Sequence, residues 1–137
     1  MNNDTKTYPL ILQERYLIAA LGTKKIAFAA NLVRDILMIE RSQILVLPFY
    51  DAACLGVIHY QNQIIPLVST KKVLGVTESN LLQSTLTAVR LNDSTEYLGG
   101  VALVVDRMEK SLAAEDLSQE HKFQITDIPT QIWQPQR

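Results

Sequence analysis

Only one cysteine, Cys54, occurs in the 137 residues, so no internal disulfide can form, and the sequence fits a reducing compartment. Cys54 itself reads as a small buried hydrophobe rather than a reactive thiol. There is no run of about 18 apolar residues, and the opening MNNDTKTYPLILQER has neither a long apolar stretch nor a small-residue cleavage site. A membrane span and a signal peptide are therefore not expected, and the chain reads as cytoplasmic with no direct membrane insertion. Basic residues do not cluster beyond Lys24-Lys25 and Lys71-Lys72, and the net charge is −1, so the electrostatic footprint of nucleic-acid binding is missing. Catalytic signatures are missing as well. There is no Gly-rich phosphate loop, nucleophile elbow, His-x-x-x-His or Cys-x-x-Cys pair.

Few groups remain that could carry chemistry. His59 and His121 lie far apart, without carboxylate or cysteine at metal-ligand spacing, so His59 reads as structural or partner-facing and His121 as solvated. Asp51 reads as starting a bend, Asp106 as ending a strand and Asp35 as pointing outward from a turn. Trp133 reads as a packing residue. No catalytic residue, metal ligand or cofactor is assigned, and the chain is not expected to be an enzyme. A ligand-binding or enzymatic barrel would need polar groups converging on an apolar pocket, and the sequence shows none.

What is present is apolar and strand-like. At 47% hydrophobic and 20% charged, the chain has enough apolar residues to build a core. Tyr16–Leu21, a turn at Gly22-Thr23-Lys24 and Lys25–Ala30 read as a hairpin; the many alanines leave a helix as the competing reading. Asn31 is placed to cap a helical turn before the chain extends again. Leu45, Leu47 and Phe49 alternate through a surface connection to the Asp51-Ala52-Ala53 bend. Gly56–Tyr60 and Gln63–Val68 form a second hairpin, with Gln61-Asn62 where a two-residue loop needs positive φ. Pro66 lacks an N–H and is expected at an edge or a bulge. Ser69 caps the helical turn 70–74 and Gly75 ends it.

The polar stretch Thr77–Asn80 is the best internal boundary. After it, 86–91 and 97–105 read as a hairpin turning through Asn92–Thr95, Met108–Leu112 as a weaker continuation, 113–117 as a helical turn, and Phe123 with Ile125 as a last strand. Many short strands with closely spaced turn signals indicate an all-β barrel or sandwich. The charge is uneven: residues 1–75 carry 8 basic and 5 acidic side chains, residues 76–137 carry 5 and 9. Such asymmetry can orient a domain on a partner.

Tyr16-Leu17 through Leu21-Gly22, Val33-Arg34-Asp35-Ile36, Gly56-Val57-Ile58 leading to Ile64-Ile65-Pro66-Leu67-Val68, Leu74-Gly75, and Val104-Val105-Asp106-Arg107-Met108 together resemble the CheW-like domain over about residues 16–117. The resemblance implies two small five-stranded β-barrels sharing an apolar interface: an N-terminal segment 1–15, a first subdomain 16–76 and a shortened second subdomain 77–137. It implies an adaptor that couples a chemoreceptor signalling tip to the regulatory domain of a histidine kinase, in chemotaxis or pilus-based motility. The implied partner contacts are Val33, Asp35, Ile36, Ile58, His59, Gln61, Asn62 and Pro66.

Departures from the family pattern are specific. His59-Tyr60-Gln61-Asn62 stands where the family usually has Asn-Leu-Arg-Gly, so a neutral amide replaces a receptor-contacting arginine. Asp35 replaces a common glutamate, Ser69 a common aspartate, and Ser111 an apolar residue whose loss is expected to loosen packing. The family's further C-terminal hairpin has no counterpart in the last twenty or so residues. An incomplete second barrel would expose strand edges and favour a homo-oligomer or strand pairing with a partner. The alternative reading is therefore a divergent module of this fold that has lost receptor binding and regulates a kinase or another partner through such an edge.

Overall fold

A computed structural model describes residues 14–76 and 83–133. Among these residues nine strands form two sheets: β1 (Arg15–Leu21), β2 (Lys24–Ala29), β3 (Val33–Glu40), β4 (Cys54–Tyr60), β5 (Gln63–Ser69), β6 (Thr85–Leu91), β7 (Ala102–Val105), β8 (Arg107–Ala113) and β9 (His121–Lys122). The four-stranded sheet has the order β8-β1-β2-β9, the five-stranded sheet β3-β6-β7-β5-β4. Strands from both sides of the Thr77–Asn80 stretch share each sheet; the stretch itself lies outside the described residues. No helix among the described residues is long and apolar enough to cross a membrane.

The expected first hairpin is there, β1 against β2 around Gly22-Thr23. Its alanines suit strands because of where they sit: Ala19, Ala20 and Ala27 are fully buried. Tertiary packing here overrides the weak intrinsic preference of alanine.

The larger core lies between the sheets. Ala19, Leu21, Ile26 and Phe28 of the four-stranded sheet meet Val68, Val89, Leu91, Leu103 and Val105 of the other. The five-stranded sheet buries its opposite face too, in a second cluster of Leu37, Ile39, Ile58, Ile65, Leu67, Leu86, Ala88 and Ala102. β6 serves both clusters by alternation, Val89 and Leu91 to one side, Leu86 and Ala88 to the other, which explains why apolar residues occupy both of its faces.

The chain crosses between sheets at Asp106, directly between β7 and β8. Its N–H bonds Ala20 O (2.9 Å), its carboxylate accepts from Gly22 N (2.6 Å) and it pairs with Lys71 Nζ (2.7 Å). One side chain at the strand end thus ties the first turn to the short helix Thr70–Leu74. That helix has the expected caps: Ser69 Oγ accepts from Lys72 N, and Gly75 is left-handed at φ 71°.

Several expectations are corrected. Asn31 sits inside a 3-10 turn, Ala30–Leu32, whose cap position is Ala29 with no side-chain bond. Tyr97 and Leu98 belong to the 3-10 segment Asp93–Leu98, and β7 starts only at Ala102, because the Tyr97 hydroxyl is drawn to the carbonyls of Ile128 (2.7 Å) and Ile125 (3.0 Å). The last strand is His121–Lys122, parallel to β2, with Ile125 in a 3-10 turn. His121 is not merely solvated, since its Nε2 lies 2.8 Å from Asp127 Oδ2. Ser111 does not loosen the packing: it is exposed on β8 and accepts from Arg15 Nε at 3.0 Å.

Beyond β8 the chain closes the larger core without a further hairpin among the described residues. Phe123, Ile128 and Ile132 are buried in it and Trp133 packs against it. Phe123 stacks on Phe28, ring centroids 5.2 Å apart at 41°. The outer edge of β8 carries no partner strand among the described residues.

Candidate partner-binding surface

The β4–β5 hairpin is built as the sequence requires. Gln61 (φ 49°) and Asn62 (φ 64°) both take positive φ in its two-residue loop. Ile58 stands opposite Ile65 and Tyr60 opposite Gln63 on the inner face, with His59 opposite Ile64 on the outer one. Cys54, at the start of β4, is buried, and that burial pushes its thiol pKa up, which keeps it an inert thiol.

Val57 exchanges backbone hydrogen bonds with Leu45 across the outer edge of β4, at 2.8 and 3.0 Å. Its polar groups therefore point away from β5, and Pro66 stands opposite it, where no N–H is required for that ladder. β7 begins to pair with β5 only at Leu67. Pro66 thus faces a local edge, as expected: β5 is interior in the strand order, but at this residue β7 has not begun to pair and the β4 ladder needs no N–H. A register shift does occur nearby, in β4 between Cys54 and Gly56.

The sheet curls so that its terminal strands, β3 and β4, approach each other. They line one cleft of about 150 Å³ formed by Ile36, Leu37, Met38, Ile39, Gln43, Ile58, His59 and Tyr60. Leu45 closes the seam at Val57, and the backbone groups of His59, two residues on, point the same way into the open part. Gly56 makes the closure possible: a Cβ there would collide with the Leu45 carbonyl. Met38, in the cleft lining, is 67% exposed, and Ile64 (62%) and Phe49 (72%) are exposed apolar side chains elsewhere on the surface.

At the end of the curled sheet where the β4–β5 hairpin projects as a two-stranded ribbon lies a buried charge. Arg90, 3% exposed, donates from Nε to Asp35 Oδ1 (2.9 Å), from Nη2 to Asp35 Oδ2 (2.6 Å) and from Nη1 to Gln63 Oε1 (3.2 Å). Its guanidinium carbon is 5.5 Å from the Tyr60 ring centre. The Arg90 hydrogen bonds, opposed in part by desolvation, hold the Asp35 carboxyl below the usual carboxylate range. Asp35 is therefore a paired strand residue, not one pointing outward from a turn.

The expected contact residues divide. Ile36 and His59 face the cleft, Gln61 and Asn62 form the exposed tip, and Asp35 lies beside it. Ile58 lines the cleft from within the smaller core at 4% exposure. Val33 packs against the larger core, and Pro66 is half-buried on the ribbon's outer face. Arg90, Met38 and Ile64 were not singled out. A lone charge at an inward-facing position of the run Leu86–Leu91 was the readable sign of Arg90. Among the described residues no three His, Cys, Asp or Glu side chains group as metal ligands.

The CheW-like domain matches residues 15–133 of this chain. Among solved structures, the scaffolding protein TtCheW from Thermoanaerobacter tengcongensis is similar at a TM-score of 0.61 and 17% identity, over 74% of this chain. The matched part spans 65% of that protein's length. No curated protein matches the sequence.

Proposed function

Because the chain belongs to the CheW-like domain family, a family of non-catalytic adaptors in chemotaxis signalling, we propose that it couples a chemoreceptor-type signalling tip to the regulatory domain of a histidine kinase, in chemotaxis or in pilus-based motility. The single observation that carries this is the family match over nearly the whole chain. The exposed hairpin tip beside the β3–β4 cleft supports it. In this reading the two sheets and their cores correspond to the two small barrels of the family, and the protein works in the cytoplasm. Ile36, His59, Gln61 and Asn62 meet the partner; Asp35, Ile58 and Pro66 shape the surface from behind, and Val33 anchors the start of β3. A helical receptor tip offers polar and apolar side chains at helical spacing, which suits a cleft whose lining mixes Ile36 and Ile58 with Gln43, His59 and strand-edge backbone.

A second reading is favoured by two observations, the neutral Gln61 at the tip and the outer edge of β8, which has no partner strand among the described residues. In it the module has lost receptor binding and regulates a kinase or another partner through self-association or strand pairing at that edge. Mild crosslinking at native abundance, followed by mass spectrometry of the captured proteins, separates the two. Recovery of both a chemoreceptor and a histidine kinase supports coupling. Recovery of neither, or of the protein alone, contradicts it. A Gln61→Arg variant that gains receptor binding absent from the native chain favours the second reading.

A further inference from the structure

The β4–β5 ribbon extends past its neighbours. β7 pairs with β5 only over Leu67–Ser69, and Leu45 bridges β4 only at Val57. From Ile58 to Ile65 no other strand runs alongside among the described residues. A two-stranded ribbon is marginal in water by itself. Ile58 and Ile65 hold its base by burial, which is strong but non-directional. Beyond them the inner face presents Tyr60 and Gln63, and both meet Arg90.

We infer that Arg90 is the positioning residue of this ribbon, fixing the Gln61-Asn62 tip relative to β3 through the Asp35–Arg90–Gln63 bonds and the Tyr60 ring. Asp35 and Arg90 are direct partners in the β3–β6 ladder, so the bidentate pair is set by that strand register and does not depend on the ribbon. The remaining donor then selects Gln63 Oε1 on the ribbon. A buried guanidinium demands such partners, because leaving it unpaired is strongly unfavourable. A lysine supplies the charge without the planar fork, and an apolar residue supplies neither. Position at the tip is thus specified by directional bonds, while the charge itself stays inward and is cancelled by Asp35. The inference rests on the reading of the tip as a partner contact only for its consequence in binding, not for the geometry.

Site-resolved amide hydrogen exchange on the full chain tests it, comparing the native protein with Gln63→Ala, Arg90→Lys and Arg90→Leu. Gln63→Ala is the mild variant, since it leaves the Asp35–Arg90 pair intact. The cross-strand bonded amides of Ile58, Tyr60, Gln63 and Ile65 should exchange about tenfold or more faster in Arg90→Leu and several-fold faster in the other two. In the two milder variants β1 and β2 amides should keep their native rates. Equal acceleration in ribbon and β1–β2 amides of the milder variants, or no acceleration in any variant, overturns the inference. Calorimetric titration with a receptor tip and with a kinase regulatory domain supplies the second readout. A native chain that binds neither sinks the adaptor reading and leaves the exchange result to decide the positioning role. A native chain that binds, with Arg90→Lys binding equally well despite a loosened ribbon, overturns the link between ribbon position and contact.

Discussion

The core between the sheets is completed by apolar side chains from the C-terminal segment, Phe123, Ile128 and Ile132, whereas the smaller core inside the five-stranded sheet ends in the polar group Asp35, Arg90, Gln63 and Tyr60. The first arrangement removes surface from water and is indifferent to direction. The second adds little burial but fixes angles, and it sits beside the exposed tip and the cleft. Stability and geometry are therefore assigned to different ends of the molecule, and the surface proposed to meet a partner is at the end where geometry is specified.

The contrast can be broken most severely at the apolar end. Phe123→Ala should lower unfolding stability by about 3–5 kcal/mol, read by denaturant titration, because it removes the stacking partner of Phe28 and opens a cavity. A loss under 1 kcal/mol would mean the C-terminal segment does not complete that core. Gly56→Ala comes next, at about 2–4 kcal/mol, since it combines a φ of 136° with a collision at the Leu45 carbonyl. Its signature should be local, with loss of exchange protection at Leu45 and Val57; retained protection there would contradict the seam closure.

Ser69→Ala should cost about 1 kcal/mol through loss of the cap on Lys72 N. That change belongs to neither end and should leave the ribbon amides unmoved. The smallest effect is acid sensitivity. The folded pKa of Asp35 is depressed, so its contribution is present above the unfolded value of about 4 and is lost as pH falls through the lower folded value. Ribbon amides should lose protection relative to β1–β2 amides below about pH 4. Asp35→Asn should abolish that pH dependence, and a ribbon that keeps its native acid response in the variant would rule out Asp35 as its source.

How much of this was legible in the sequence follows from how local each cause is. The Gln61-Asn62 loop, the Ser69 and Gly75 caps and the Gly22 turn depend on one or two backbone angles, and each is found where the residues point to it. The extent of β7 was not legible, because Tyr97 is held out of the strand by carbonyls some thirty residues later. That Pro66 faces no partner strand was legible from its missing N–H, but the fact that β5 becomes interior one residue later was not, because it depends on where β7 starts pairing, set by distant chain. Asp35 had a visible charge but no visible partner. Its arginine lies 55 positions away, and only the β3–β6 register brings them together.

The most direct test of the central claim is a chemical-shift titration of the isotope-labelled full chain with a chemoreceptor signalling tip, repeated with a kinase regulatory domain. The account predicts that the receptor tip perturbs amides at Ile36 and His59–Asn62 and leaves the outer edge of β8 unchanged. Absence of any perturbation by the receptor tip, or perturbation confined to β8, would contradict it.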